Sequence, residues 1–139
     1  MNAVFERILP IMINGVDGGV CQIKGFDFSD RDDFRIEYAV DNGPMESIQS
    51  DGGVFNALCA LRRVLEKIGI FVMCNASALD VYPSPMQIAM GNSTLAYRNT
   101  LGQQALAKDI VDMLDLSEVS GLATVDEQEA FHQRWLASL

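Results

Sequence analysis

Side-chain catalysis needs an activated nucleophile, a general base or a caged metal ion, and this chain offers few residues for any of them. Its one histidine, His132, excludes a multi-histidine metal site and any mechanism that uses two imidazoles. Three cysteines, Cys21, Cys59 and Cys74, make an odd count with no short paired spacing, the pattern of reduced and mostly buried thiols. Cys74 or Cys21 meeting His132 in space would give a Cys-dependent enzyme its nucleophile and base. However, His132 stands beside Gln133 and Arg134 on what reads as the polar side of a helix, the place of a solvated imidazole.

The carboxylates offer little more. A calcium loop beginning at Asp30 would place Phe34 at its fifth position, Arg35 where glycine is required and Asp41 where the bidentate glutamate belongs, so that motif fails. Gly15, Gly18 and Gly19 lack the Lys and Ser or Thr of a phosphate-binding loop and read as a turn. The residues call for no metal and no cofactor.

Charge is the more informative property. A formal charge of −9 on 139 residues opposes contact with nucleic acid, whose phosphates favour cationic proteins, and attracts basic partners. The acids gather in two stretches. Asp27, Asp30, Asp32, Asp33, Glu37, Asp41, Glu46 and Asp51 are interrupted only by Arg31 and Arg35, and the later group Asp109, Asp112, Asp115, Glu118, Asp126, Glu127 and Glu129 contains no basic residue. They form two candidate electronegative faces, with Phe34 and Tyr82 as candidate aromatic contacts.

The elements that must position these residues point to one α+β domain over residues 1–139, a small antiparallel-rich sheet packed by a central helix, with C-terminal helices. Val4, Ile8 and Met12 recur at helical spacing, which favours a short N-terminal helix despite Pro10. Val20 to Phe28 and Phe34 to Val40 alternate as half-buried strands, and Met45 to Ile48 returns as a third after the Asp41 to Pro44 turn. Val54, Leu58, Leu61, Leu65 and Ile68 define the strongest helix, with Arg62 and Arg63 on its polar side and Gly69 as its stop.

Ile70 to Cys74 reads as a central strand covered on both faces. Asn75 to Asn92 reads as mostly loop, stiffened by Pro83 and Pro85 around Tyr82 and Met86, and Thr94 to Tyr97 as an edge strand. Ile110, Val111 and Leu114 mark a short helix. Thr124 and Glu127 form a capping box that opens a C-terminal amphipathic helix. The apolar runs Ile8 to Ile13 and Ile68 to Cys74 are too short to cross a bilayer, and no signal segment is visible, so a cytoplasmic protein without membrane contact is expected.

The second half carries Cys74, Asn75 and Ala76, then Asp80, Val81, Tyr82, Pro83, Ser84, Pro85 and Met86, then Ala96 and Tyr97, followed by Asp109 to Asp115 and the ending from Thr124 to Leu136. In these residues it resembles a family of small bacterial proteins associated with immunity against polymorphic toxins. Pro85 stands where the family pattern has glycine, and the pattern's Gly-rich turn is reduced to Gly91. The resemblance brings no catalytic residues.

It implies a non-enzymatic, immunity-type inhibitor that binds the basic effector domain of a toxin. The expected contacts are Asp27, Asp30, Asp32, Asp33, Phe34, Glu37, Tyr82, Asp109, Asp112 and Asp115. An adaptor or chaperone-like module whose acidity serves only solubility is the other reading.

Overall fold

The computed structural model describes residues 2–28 and 33–139. Asp30 and Asp32 of the first acidic stretch, with Arg31 between them, lie outside the described residues. Among the described residues the fold is α+β. A five-stranded antiparallel sheet takes the order β4-β3-β2-β1-β5 and a three-stranded one the order β6-β7-β8.

The first four strands form a meander: β1 (Phe5–Ile13), β2 (Val16–Phe28), β3 (Asp33–Val40) and β4 (Glu46–Asp51). Asn14 (φ 51°) and Gly15 (φ 80°) form the two-residue hairpin between β1 and β2, a turn with two left-handed residues whose twist matches that of the strands it joins. Cys21, Ile23, Phe34 and Ile36 point to the core, while Gln22, Lys24, Arg35 and Glu37 face outward.

The expected N-terminal helix is instead β1. Phe5, Leu9 and Ile11 are buried at strand period, and Ile8, which created the helical spacing, is 64% exposed on the outer face. Pro10 is tolerated within a doubly paired strand because the register shifts between Pro10 and Met12, where its missing amide breaks no ladder bond.

Helix α1 (Val54–Glu66) carries the chain from the β4 edge to β5 (Ile70–Val72) at the other edge and touches β3, β4 and β5. Its buried stripe of Val54, Phe55, Leu58, Leu61 and Leu65 closes the core; Arg62, expected on the polar side, is buried with them. The segment expected as a central strand is an edge strand. β5 pairs only with β1, and its apolar run is covered by α1 and by the residues that follow it.

The second sheet contains β6 (Val81–Tyr82), β7 (Leu95–Arg98) and β8 (Ile110–Asp112), so β7 is its centre rather than an edge. β8 replaces the helix expected at Ile110 to Leu114, because Asp112 turns the chain by accepting from the Leu114 amide at 2.8 Å. Within the expected loop, α2 (Pro85–Ala89) forms where Ser84 caps the Gln87 amide and the Gln87 side chain returns the bond. α3 (Val125–Ala137) starts at the Thr124–Glu127 capping box and is the one C-terminal α-helix among the described residues, preceded by single 3-10 turns at Ala107–Asp109 and Val119–Gly121. None of the described helices is long and apolar enough to cross a membrane.

Candidate functional site

The inward stripe of α3 runs through buried Val125, Gln128 and Trp135 with half-buried Phe131 and His132, so His132 leans onto the core rather than standing free in solvent. Its imidazole lies flat on the Tyr82 ring of β6, with centroids 3.8 Å apart and planes 8° apart. Phe55 of α1 meets the Tyr82 ring edge-on at 4.8 Å, and Trp135 flanks His132 at 5.7 Å. Four rings from α1, β6 and α3 thus form one array. Burial pushes the His132 pKa below its ordinary value, against the pull of Glu129, and burial raises that of Tyr82.

Three of these rings, Tyr82, His132 and Trp135, form one wall of a cleft of about 450 Å³ that Tyr97, Asn99 and Leu136 also line. No residue lining this cleft has a charged side chain. Trp135 Nε1 donates to the Gln103 carbonyl at 2.9 Å and Ser138 Oγ accepts from the Gly102 amide at 2.8 Å, which straps the loop after β7 onto the end of α3. Two side-chain atoms at the cleft are buried without a partner, Asn99 Oδ1 and His132 Nδ1.

Asn99 also lines a broader cleft of about 840 Å³. There Arg98 is engaged by Asp80 at 2.8 Å and by Asn75 Oδ1 at 3.0 Å.

The thiols stand elsewhere. Cys21 and Cys74 are buried in the core, and burial pushes Cys21 up to about 11 and raises Cys74. Cys59 on α1 is likewise pushed up to about 11 by burial, with Arg62 pulling it back. These are thiols held protonated, the opposite of an activated nucleophile. The ring neighbours of His132 are Tyr82 and Trp135.

The structure divides the expected contact residues into different roles. Phe34, expected at the surface, is fully buried and stacks on Phe5 at 5.9 Å, because its register opposite Asp27 turns it into the sheet's core face. Glu37 pairs with Arg35 at 3.7 Å. In the second acidic stretch, Asp109 accepts from the Leu106 amide at 2.9 Å. Asp112 binds Thr94 Oγ1 at 3.2 Å, and Asp126 pairs with Arg63 of α1 at 2.9 Å. Asp115 is exposed. Most of that stretch therefore shapes turns and caps rather than forming one open face.

The first stretch behaves differently. Asp33 on β3 sits in register with Asp51 on β4 and with Phe28 on β2, so these share the outer face, whereas Asp27, in register with buried Phe34, points to the other face of the sheet. Among the described residues none of Asp27, Asp33 and Asp51 has an ion-pair partner, and Asp33 accepts only from Gln49 Nε2 at 3.0 Å. Like charges directly opposite each other across a ladder repel.

Compared with known proteins, the chain matches no family model and no curated protein.

Proposed function

We propose that this protein is a binding protein of the immunity type, which neutralises a bacterial toxin by covering a basic effector surface with the acidic end of its main sheet. The observation that carries the reading is the Asp33–Asp51 pairing on the outer face of the sheet, neither member of which has an ion-pair partner among the described residues. Two carboxylates opposed across a ladder repel in the free protein, and an arriving Lys or Arg both attracts them and relieves that repulsion. With a net charge of −9, the field of the whole chain adds steering towards a cationic surface. The chemistry is recognition in the cytoplasm, with no cofactor and no bond made or broken.

The test is to co-express the chain with a cationic toxin effector encoded beside it and measure growth, then association at low and high salt. Protection of growth, with association slowed at least tenfold between about 50 and 500 mM salt, is the expected result. Binding that is indifferent to salt, or binding without protection, leaves the adaptor reading instead.

A further inference from the structure

Tyr82 of β6 and Tyr97 of β7 are opposed in register, so their rings leave the same face of the small sheet, while Val81 and Ala96 are buried in the core on the other side. The two rings are covered differently. His132 lies on Tyr82 at 3.8 Å with its plane only 8° away, and Phe55 meets the same ring edge-on. Among the described residues no ring meets Tyr97, which is half-buried and lines the 450 Å³ cleft between this face and the end of α3. The cleft thus begins where the ring array stops, beside a tyrosine with room for one more ring.

What fits there follows from the lining. A concavity of this size suits a small molecule, whose sites are mostly apolar with a few polar groups. Although the chain carries −9, no lining residue is charged, whereas the broader cleft next to it holds Asp80, Arg98 and Glu118, and the hollow that Met90 lines holds Asp27. A charged ligand would lose its water here without gaining a counterion, so the occupant is neutral. Polar atoms are scarce as well. Trp135 Nε1 is spent on the Gln103 carbonyl and Ser84 Oγ on the Gln87 amide, and Asn99 Oδ1 and His132 Nδ1 are closed to solvent. The hydroxyls of Tyr82 and Tyr97 and the exposed Gln104 remain. A peptide brings an N–H and a C=O with each residue and would leave most of them unpaired, whereas a free ring with one hydroxyl would not. Leu136 and Leu139, 47% and 58% exposed, add apolar surface for such a ring to cover.

We propose that this cleft is a binding site for a small, neutral aromatic molecule of the phenol class, whose ring stacks on Tyr97 as His132 stacks on Tyr82. The site is separate from the Asp33–Asp51 pair, which lies on the outer face of the other sheet, and it stands whether or not that pair meets a toxin.

Trp135 is the only tryptophan and lines the cleft, so its emission reports occupancy. The probes share one ring: p-cresol, the p-toluate anion, the 4-methylbenzylammonium cation and N-acetyltyrosinamide. p-Cresol is expected to change the emission saturably, at least about tenfold tighter than either ion at about 50 and about 500 mM salt alike, because desolvation excludes the ions and salt does not relieve it. N-acetyltyrosinamide should bind more weakly than p-cresol. Tyr97→Ala should weaken p-cresol by about tenfold or more, whereas Tyr97→Phe, which keeps the ring, should largely retain it. Ala105→Phe should block the cleft by filling it, and Asp51→Asn should change nothing. A urea midpoint for each variant separates lost binding from lost fold. No saturable response to p-cresol, or an undiminished response in folded Tyr97→Ala, overturns the site. Either ion bound as tightly as p-cresol overturns its neutrality, and tighter binding of the tyrosinamide overturns the small molecule in favour of a protein side chain.

Discussion

Arg62 Nη1 donates to Gln128 Oε1 at 2.6 Å, and these side chains are 4% and 1% exposed. The same glutamine directs Nε2 at the carbonyls of Ala76, Ala78 and Val81, and Arg62 Nη2 donates to the Ala123 carbonyl at 2.9 Å. One buried polar contact thus ties α1, the stretch leading into β6, and α3, and through them fixes the ring array at the cleft. Burial lowers the Arg62 pKa, the mark of a charge kept from water. Removing Gln128 takes one acceptor from the buried guanidinium and leaves three carbonyls without their donor. Gln128→Leu should therefore cost about 3–5 kcal/mol in urea unfolding. Arg62→Met combined with Gln128→Leu should cost less than the sum of the single changes, since no buried charge is then stranded. Additive costs would show that the contact is not a coupled unit.

The stacked His132 makes stability depend on pH in a definite direction. Its folded pKa lies below the ordinary 6.5 because burial disfavours the imidazolium between Tyr82 and Trp135, with the Glu129 carboxylate opposing. The unfolded chain then binds the proton more readily than the native one. Stability is full above the unfolded value and is lost as pH falls towards the folded one. Urea midpoints measured from pH 8 down to pH 5 should fall, and His132→Phe, which keeps a ring in the stack, should flatten that fall. An unchanged slope in His132→Phe would place the pH dependence in other groups.

The sequence revealed the elements whose pattern was local. The alternation in β2 and β3, the stripe of α1 and the Thr124–Glu127 box are all in the fold, because each is set by residues within one element. The N-terminal strand was misread because β1 has apolar residues on both faces, so exposed Ile8 and half-buried Met12 mimic a helical repeat. Ser84, Pro85 and Gln87 carried a readable capping box that announces α2. The spacing of His132 and Trp135 placed both rings on one helical face. Nothing local to Tyr82 or Arg62 indicated their partners, which lie 50 and 66 residues away along the chain, in His132 and Gln128. Such contacts are fixed by tertiary packing, to which a single sequence gives no periodic signal.

The protonated thiols predict sluggish chemistry. With pKa values pushed up to about 11, Cys21 and Cys59 expose only about 0.1% thiolate at pH 8, against roughly a quarter for an ordinary cysteine. Iodoacetamide labelling of the native protein at pH 8 should be slower than that of a free thiol by a hundredfold or more, and urea should restore the ordinary rate. One fast-reacting cysteine in the native state, mapped to Cys74, would revive the Cys-dependent reading.

The acidic end should trade stability against binding at a single position. Asp51 faces Asp33 across β3 and β4, so Asp51→Lys replaces a repulsive pair with an attractive one and should stabilise the fold by about 0.5–1 kcal/mol. The gain should shrink in 1 M salt, where the Debye length falls to about 3 Å. The matching change at Asp126 is the control, because that carboxylate already pairs with Arg63 at 2.9 Å and Asp126→Lys sets two cations side by side. It should bring no gain. If Asp51→Lys raises the urea midpoint while slowing association with the cationic partner, the free protein holds its repulsive pair for the sake of the complex. If it stabilises the fold and leaves association untouched, the pair has no part in recognition and the binding surface lies elsewhere.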